Sequence, residues 1–525
     1  MQLSVTWKCA RAAVVELHDG NLFKTGEPWQ IFINDVPRGE TDRVVTYIDN
    51  LEPQTVYRVR FERDGEVATT VIVTEDETFT LDVRAFGAAG DGVRDDTTSL
   101  QAAIMACPEK GRVLIPAGDY LISTLFLKSG ISIELAEGAT LKARFDRENL
   151  AYLPENIEGV PGTGYAGSGI LPMGTWEGES RRMFCGAIMG LSVNDTVIYG
   201  HGVIDGQASF DEDNWWFEAK RIRIAARPRL IFLSECKNMN FAGITVRNSP
   251  SWNIHPVLSS RLGFWCLNIE GPKVSPNTDG LDPESCCSVT IKGCHFSVGD
   301  DCIAVKSGKL SMPRALRPPC RDLLIEQCYM HDGHGSITVG SEISGGVCGL
   351  TARNCLFERT DRGLRVKTRR GRGKDSVVVG VCFENIKMDS VLTPFVVNSF
   401  YFCDPDGKSE YVQCRDALPM DDRTPKVASL VFKDIEVNNC HAAAAYVTGL
   451  PESRIDMLEL HNVHVDFAED AQPSVPAMAC GVDEMCRAGF IAEHVGTLLL
   501  DHVNIEGVDG DELVLDDVNK VERIA

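Results

Sequence analysis

From about residue 110 to its end the chain repeats one short pattern. Nine segments begin at Cys236, Ser260, Cys286, Cys320, Val347, Ser376, Val427, Arg454 and His494, and most intervals between them run from 24 to 34 residues. Each has a short apolar strand, a polar or Gly/Asn/Cys turn, then a second apolar strand. A strand-turn-strand unit cannot bury both faces alone, so units at such periods must stack. No long helical periodicity separates the strands, which excludes a βαβ barrel or a Rossmann fold. Leucine-rich and propeller signatures are absent. The expected architecture is an all-β solenoid, a parallel β-helix.

Composition narrows the function classes. Of 525 residues, 52 are Lys or Arg and 75 are Asp or Glu, giving a net charge of −23. That argues against nucleic acid or an anionic membrane surface as partner. No run of about 18 apolar residues exists to form a membrane span. The opening MQLSVTWKCARAAVVELHDG lacks an uninterrupted apolar stretch and a cleavage site, which predicts a cytoplasmic chain, or a secreted or periplasmic one if a signal was removed. None of the 19 cysteines forms a C-x-x-C pair. Most alternate with Val, Ile and Leu, as at Cys286, Cys294 and Cys302. They are expected to be small, buried, reduced thiols rather than metal ligands or disulfides. No metal and no cofactor is expected, and the oligomeric state is not encoded legibly.

Residues 1–80 read as a separate small β-sandwich, and 81–525 as the solenoid. Alternating runs at Trp29–Ile33 and Val56–Phe61, with turns at Asn34-Asp35 and Asp64-Gly65, mark strands. Leu51-Glu52-Pro53-Gln54-Thr55-Val56-Tyr57 resembles the tyrosine corner of fibronectin type III domains, where the Tyr hydroxyl ties back to an upstream backbone group. After Asp95-Asp96, the residues Leu100, Ala103, Ile104 and Cys107 fall at helical spacing and predict one short amphipathic helix. Two inserts break the rhythm. One runs from about Phe145 to Arg229 and carries Trp176, Trp215 and Trp216; the other runs from about Asn398 to Pro425. Long loops on a solenoid gather on one face and often shape a site.

Four short segments fall on consecutive repeats: Asn277-Thr278-Asp279-Gly280 with Leu281-Asp282, Gly299-Asp300-Asp301, Gly333-His334-Gly335, and Arg365-Val366-Lys367. Singly each is bland: a turn, a solvated acidic pair, a loop histidine, a charged strand face. Stacked about 5 Å apart, the spacing of strands, they would share one patch. Crowding Asp279, Asp300 and Asp301 should separate their proton affinities, as glycoside hydrolysis requires of one carboxyl acid and one ionised carboxylate. Arg365 and Lys367 could grip a substrate carboxylate.

NTDG, GDD, GHG and R-x-K, in that order, resemble the four signature motifs of the polygalacturonases, glycoside hydrolase family 28, over the region from about Phe86 to the C-terminus. The resemblance implies a right-handed parallel β-helix that hydrolyses α-1,4 bonds between galacturonates with inversion and without a metal. It makes Asp300 the general acid, with Asp279 and Asp301 orienting and deprotonating water. His334 would support the acid or bind sugar, and Arg365 and Lys367 would hold a uronate carboxylate. Asn277 and Asp282 would support them. Val366 stands where many members have Ile, a conservative change.

The cations Arg359, Arg362, Arg365, Lys367, Arg369, Arg370, Arg372 and Lys374 lie within 16 residues of an acidic chain, and this island reads as polyuronate binding, with Arg369 and Arg370 as further substrate contacts. Segments 340–346 and 368–373 and the added N-terminal domain resemble exo-acting bacterial members, so release of product from the non-reducing end of polygalacturonate or oligogalacturonides is expected, with endo action the alternative. A calcium-dependent lyase would need a metal at Asp279, Asp300 and Asp301 and a Lys or Arg base. A hydrolase of the rhamnose-containing backbone would not need the R-x-K pair, and a non-catalytic adhesin would need none of the four motifs.

Overall fold

The computed structural model describes residues 1–159, 169–214, 216–217 and 227–524. Trp215 of the first insert lies outside them.

Two antiparallel sheets open the chain. One joins Gln2–Lys8, Ala13–His18 and Val45–Ile48; the other orders Val36–Arg43, Lys24–Ile33, Val56–Arg63 and Glu66–Val73. Period-2 alternation sends Leu3, Val15, Trp29, Val59, Phe61 and Ile72 into one core between them. Asn34 and Asp35 take φ of 50° and 64°, the left-handed pair that a tight hairpin demands. The Tyr57 hydroxyl accepts the Glu52 backbone N–H at 2.7 Å, the upstream tie that the corner motif predicts.

A helix over Thr97–Ala106 follows, with Leu100, Ala103 and Ile104 buried against the first rungs. Its acidic N-terminus has another use than capping. The Asp96 carboxylate accepts the N–H groups of Ala89 and Gly90, closing the glycine-rich loop before the helix.

From Thr80–Asp82 to Leu513–Ile524 the solenoid strands pair in parallel with the strand one rung further on, while three short antiparallel pairs lie in the first insert. The fold is a right-handed parallel β-helix. Like stacks on like in its interior. One column runs Val289, Leu323, Leu350, Val381, Leu430, Leu458 and Leu498 by direct pairing, and all seven are buried. Burying each such side chain contributes about 1.5–3 kcal/mol, so the stacked column is a large share of what holds rung to rung. All 19 cysteines are unpaired. Cys286, Cys294 and Cys302 are fully buried, and burial pushes their thiols well above the ordinary range. Cys348, Cys403 and Cys480 are exposed instead.

An outward column on the solenoid flank carries the sandwich. Pairing aligns Tyr199, Ala242, Trp265, Lys292 and Glu326 on five successive rungs. Tyr199 and Ala242 pack with Cys9 and Ala12, and Trp7 stacks on Trp265 with ring centroids 6.4 Å apart. Lys292 Nζ lies 2.6 Å from both Glu16 and Glu326, and the Phe23 N–H donates to Gln327.

Candidate active site

The motif segments come together because one sheet runs through all of them. Ile254 pairs with Leu281, Leu281 with Ile303, Ile303 with Ile337, and Ile337 with Leu364. These apolar residues point inward and fix the register, so the polar residues beside them line up on the outer face. Asp279, Asp300 and Asp301 each bring a carboxylate oxygen within 4.8 Å of the others. Two motif glycines are steric necessities. A Cβ at Gly280 would stand 2.4 Å from the Cys302 carbonyl oxygen, and one at Gly335 would stand 2.6 Å from the Asp301 carboxylate that crosses above it.

The three carboxylates differ in their surroundings. Asp301 is fully buried, and Arg365 Nη1 and Lys367 Nζ reach its two oxygens at 3.2 and 2.7 Å. Burial alone would raise its pKa; Lys367 and Arg365 outweigh burial and hold it far below the usual carboxylate range. Asp279 is driven the other way, by burial first and then by Asp282 and Asp300. Asp300 is the accessible one, with 21% of its side chain exposed. Its Oδ1 accepts the Asp301 N–H at 3.0 Å and lies 3.6 Å from His334 Nδ1. That carboxylate raises the pKa of His334 against the opposing effect of burial. The site therefore holds an ionised carboxylate, a carboxyl biased toward its protonated form, and an accessible carboxyl beside an imidazole. This is equipment for acid–base cleavage of a glycosidic bond.

The remaining expected residues divide. Asn277, at φ 53°, accepts Arg227 Nη2 at 2.5 Å through its Oδ1, so it is oriented from the first insert. Asp282 has no exposed surface; burial pushes its pKa up to about 8 against Lys306 and Arg229. Arg369 and Arg370 are corrected. Arg369 binds Asp404 and Asp406 at 2.9 and 2.6 Å. Arg370 grips Glu452 at 2.6 Å and donates to the Cys414 and Asp416 carbonyls. Every guanidinium nitrogen of both is spent on the protein, so they anchor the second insert instead of presenting donors to a substrate. The basic island is likewise mostly internal: Arg362, Arg365, Lys367, Arg369, Arg370 and Arg372 are all buried.

Three features were not read from the sequence. Residues 468–487 form a third loop, which sets Met478 Sδ 2.9 Å from Arg365 Nη2 and offers the Val475 and Pro476 carbonyls to Arg362. Lys309 ties the two recognised inserts together, with Nζ 2.9 Å from Asp404 and 3.7 Å from Glu177. Lys306 stands buried among Asp279, Asp282 and Glu342. Its signal was present as a lone cation closing the apolar run Cys302-Ile303-Ala304-Val305.

A carboxylate cluster of this kind on the flank of a parallel β-helix defines a solenoid glycoside hydrolase. The family model for glycosyl hydrolases family 28 matches residues 108–471, and the chain belongs to that family. A protein described as a probable polygalacturonase from Vitis vinifera is 29% identical over 399 residues, covering 74% of each chain. An endo-polygalacturonase from Pectobacterium carotovorum is 31% identical over 319 residues, 58% of this chain and 72% of its own. The Yersinia enterocolitica family 28 exopolygalacturonase has the same fold, with a TM-score of 0.72 at 18% identity over 99% of this chain and 98% of its own.

Proposed function

We propose that the protein is a polygalacturonase that hydrolyses α-1,4-galacturonosidic bonds, releasing short products from the non-reducing end with inversion. The observation that carries this reading is Asp301 held by both Arg365 and Lys367 next to an accessible Asp300. Arg365 and Lys367, already turned toward Asp301, are the cations placed to attract a uronate carboxylate beside it. Asp300 donates the proton to the leaving oxygen, while Asp301 and the ionised form of Asp279 orient water and take its proton. One oxygen of each of the three carboxylates lies within 4.8 Å of the others, so a water at the cluster would meet three carboxylates.

Exo action is favoured by the inserts, which Lys309 joins beside the site, and by likeness along the whole chain to a structure described as an exopolygalacturonase. A calcium-dependent lyase is disfavoured because Asp301 already carries two protein cations, which compete with a divalent ion for the same oxygens.

The test is product analysis on saturated oligogalacturonides in the presence of a chelator. Early mono- or digalacturonate alone is expected. A ladder of fragments would overturn exo action, and unsaturated product lost on chelation would overturn hydrolysis. Proton NMR of the first product should show the β-anomer; the α-anomer first would overturn inversion. Arg365→Ala is expected to raise KM for oligogalacturonides by about tenfold or more, the scale of one charge-assisted hydrogen bond. An unchanged KM would remove Arg365 from substrate binding.

A further inference from the structure

Lys306 is nearly fully buried, at 3% exposure. Its Nζ lies 3.4 Å from Glu342, 3.8 Å from Asp279 and 3.9 Å from Asp282, and 4.4 Å from the centroid of the Trp252 ring. Asp279 Oδ1 and both Asp282 oxygens are buried without a hydrogen-bond partner among the described residues. One ammonium therefore serves three carboxylates in a low-dielectric setting, where its charge cannot be screened by water. It cannot neutralise all three.

We propose that Lys306 is a positioning residue that apportions its charge among Asp279, Asp282 and Glu342 and so keeps Asp279 able to take the proton of the attacking water. The inference rests on the hydrolytic role given to Asp279 above.

The balance can be followed group by group. Glu342 lies nearest to Lys306, at 3.4 Å. Burial opposes its ionisation, but Lys306, then Arg372 and Lys309, bring its pKa down to about 2, and Ser341 Oγ donates to it at 2.9 Å. Asp282, with both oxygens unpartnered, is pushed up by burial to about 8, against Lys306 and Arg229. Asp279 is pushed well above the ordinary carboxylate range. Burial, Asp282, Asp300 and Asp301 oppose its ionisation, and Lys306 favours it. The cationic side of the same pocket is completed by Arg227 and Arg229, each of which feels Asp279. Lys367 faces Glu342 and Asp301. His255 also faces Lys306, but its pKa is lowered to about 4, burial being the main cause, so it stays neutral. Glu177 looks in from the first insert, its own pKa raised by burial and by Glu342.

The signs of two variants are opposite, which separates this role from a merely structural one. Lys306→Met removes the cation, so Asp279 should ionise only at higher pH. Glu342→Gln removes a competitor for Lys306, so Asp279 should ionise at lower pH. The experiment is the pH profile of kcat/KM on an oligogalacturonide for both variants, beside Asp279→Asn and Lys306→Arg. Lys306→Met should lower kcat about 10²-fold with little change in KM, and move the acid limb up by roughly one unit or more. Glu342→Gln should move that limb down, and Lys306→Arg should return it toward the native position. Acid limbs that stay put, or that move in the same direction in both variants, overturn the proposal. If Lys306→Met fails to fold, the downward shift in Glu342→Gln decides alone. An active Asp279→Asn would overturn the role of Asp279 itself. An inactive Asp279→Asn with unmoved limbs would overturn only the role of Lys306.

Discussion

Asp300→Asn should lower kcat by about 10²–10⁴-fold, the usual contribution of a positioned acid, with the thermal midpoint unchanged. The substitution is isosteric, and the backbone hydrogen bond that the Asp300 carboxylate accepts, from the Asp301 N–H, can be accepted by the new amide oxygen. What the amide cannot do is release a proton to a leaving oxygen. Among the three clustered aspartates it is Asp300 that reaches solvent, beside an imidazole that is itself 53% exposed. A leaving group on its way out must pass that side of the cluster. Steady-state kinetics on oligogalacturonides with circular dichroism melts would check this. Near-native turnover would remove Asp300 from the acid role, whatever the fate of the others.

The largest expected effect on stability lies far from that chemistry. Lys292 is pinned between Glu16 of the sandwich and Glu326 of the next rung, with 9% of its side chain exposed and less still for either partner. Lys292→Met leaves the buried Glu16 carboxylate without its cation, facing a Glu326 that keeps only Arg353. Removing one member of such a group costs about 3–5 kcal/mol. Because Glu16 belongs to the sandwich, the loss should fall on docking, and protease should cut the linker between Val73 and Thr80 faster than in the native chain. Adding Glu16→Gln should recover part of the loss, since it removes the stranded charge. Unchanged melting and unchanged proteolysis would mean that the apolar contacts around Trp7 and Trp265 carry the interface alone.

Much of the fold was legible because a solenoid turns distance along the chain into distance in space. Once the apolar strands were seen to recur, Asp279, Asp301 and Arg365 had to stand on neighbouring rungs. The tyrosine corner at Tyr57 was legible for a different reason, since its hydrogen bond closes within five residues. The misreadings have the opposite character. Arg369 and Arg370 stood out by local charge density, yet their partners lie 35 and 82 residues further on, at Asp404 and Glu452. Linear density reports how many cations are present and nothing about which carboxylates return to meet them. Lys306 was passed over because it follows an apolar strand and carries no motif of its own. The loop over 468–487 was hidden between two repeats of ordinary appearance.

The sandwich has a mechanical meaning beyond its own stability. In a stacked array each rung is bonded only to the one before and the one after, so any rung can open at the cost of two neighbours. Here one domain touches Tyr199, Ala242, Trp265, Lys292 and Gln327 at once. It works as a splint laid across five links of a chain, and the stretch it spans includes the rungs that carry Asp279, Asp300 and Asp301. Opening any one of those links means lifting the splint from all of them.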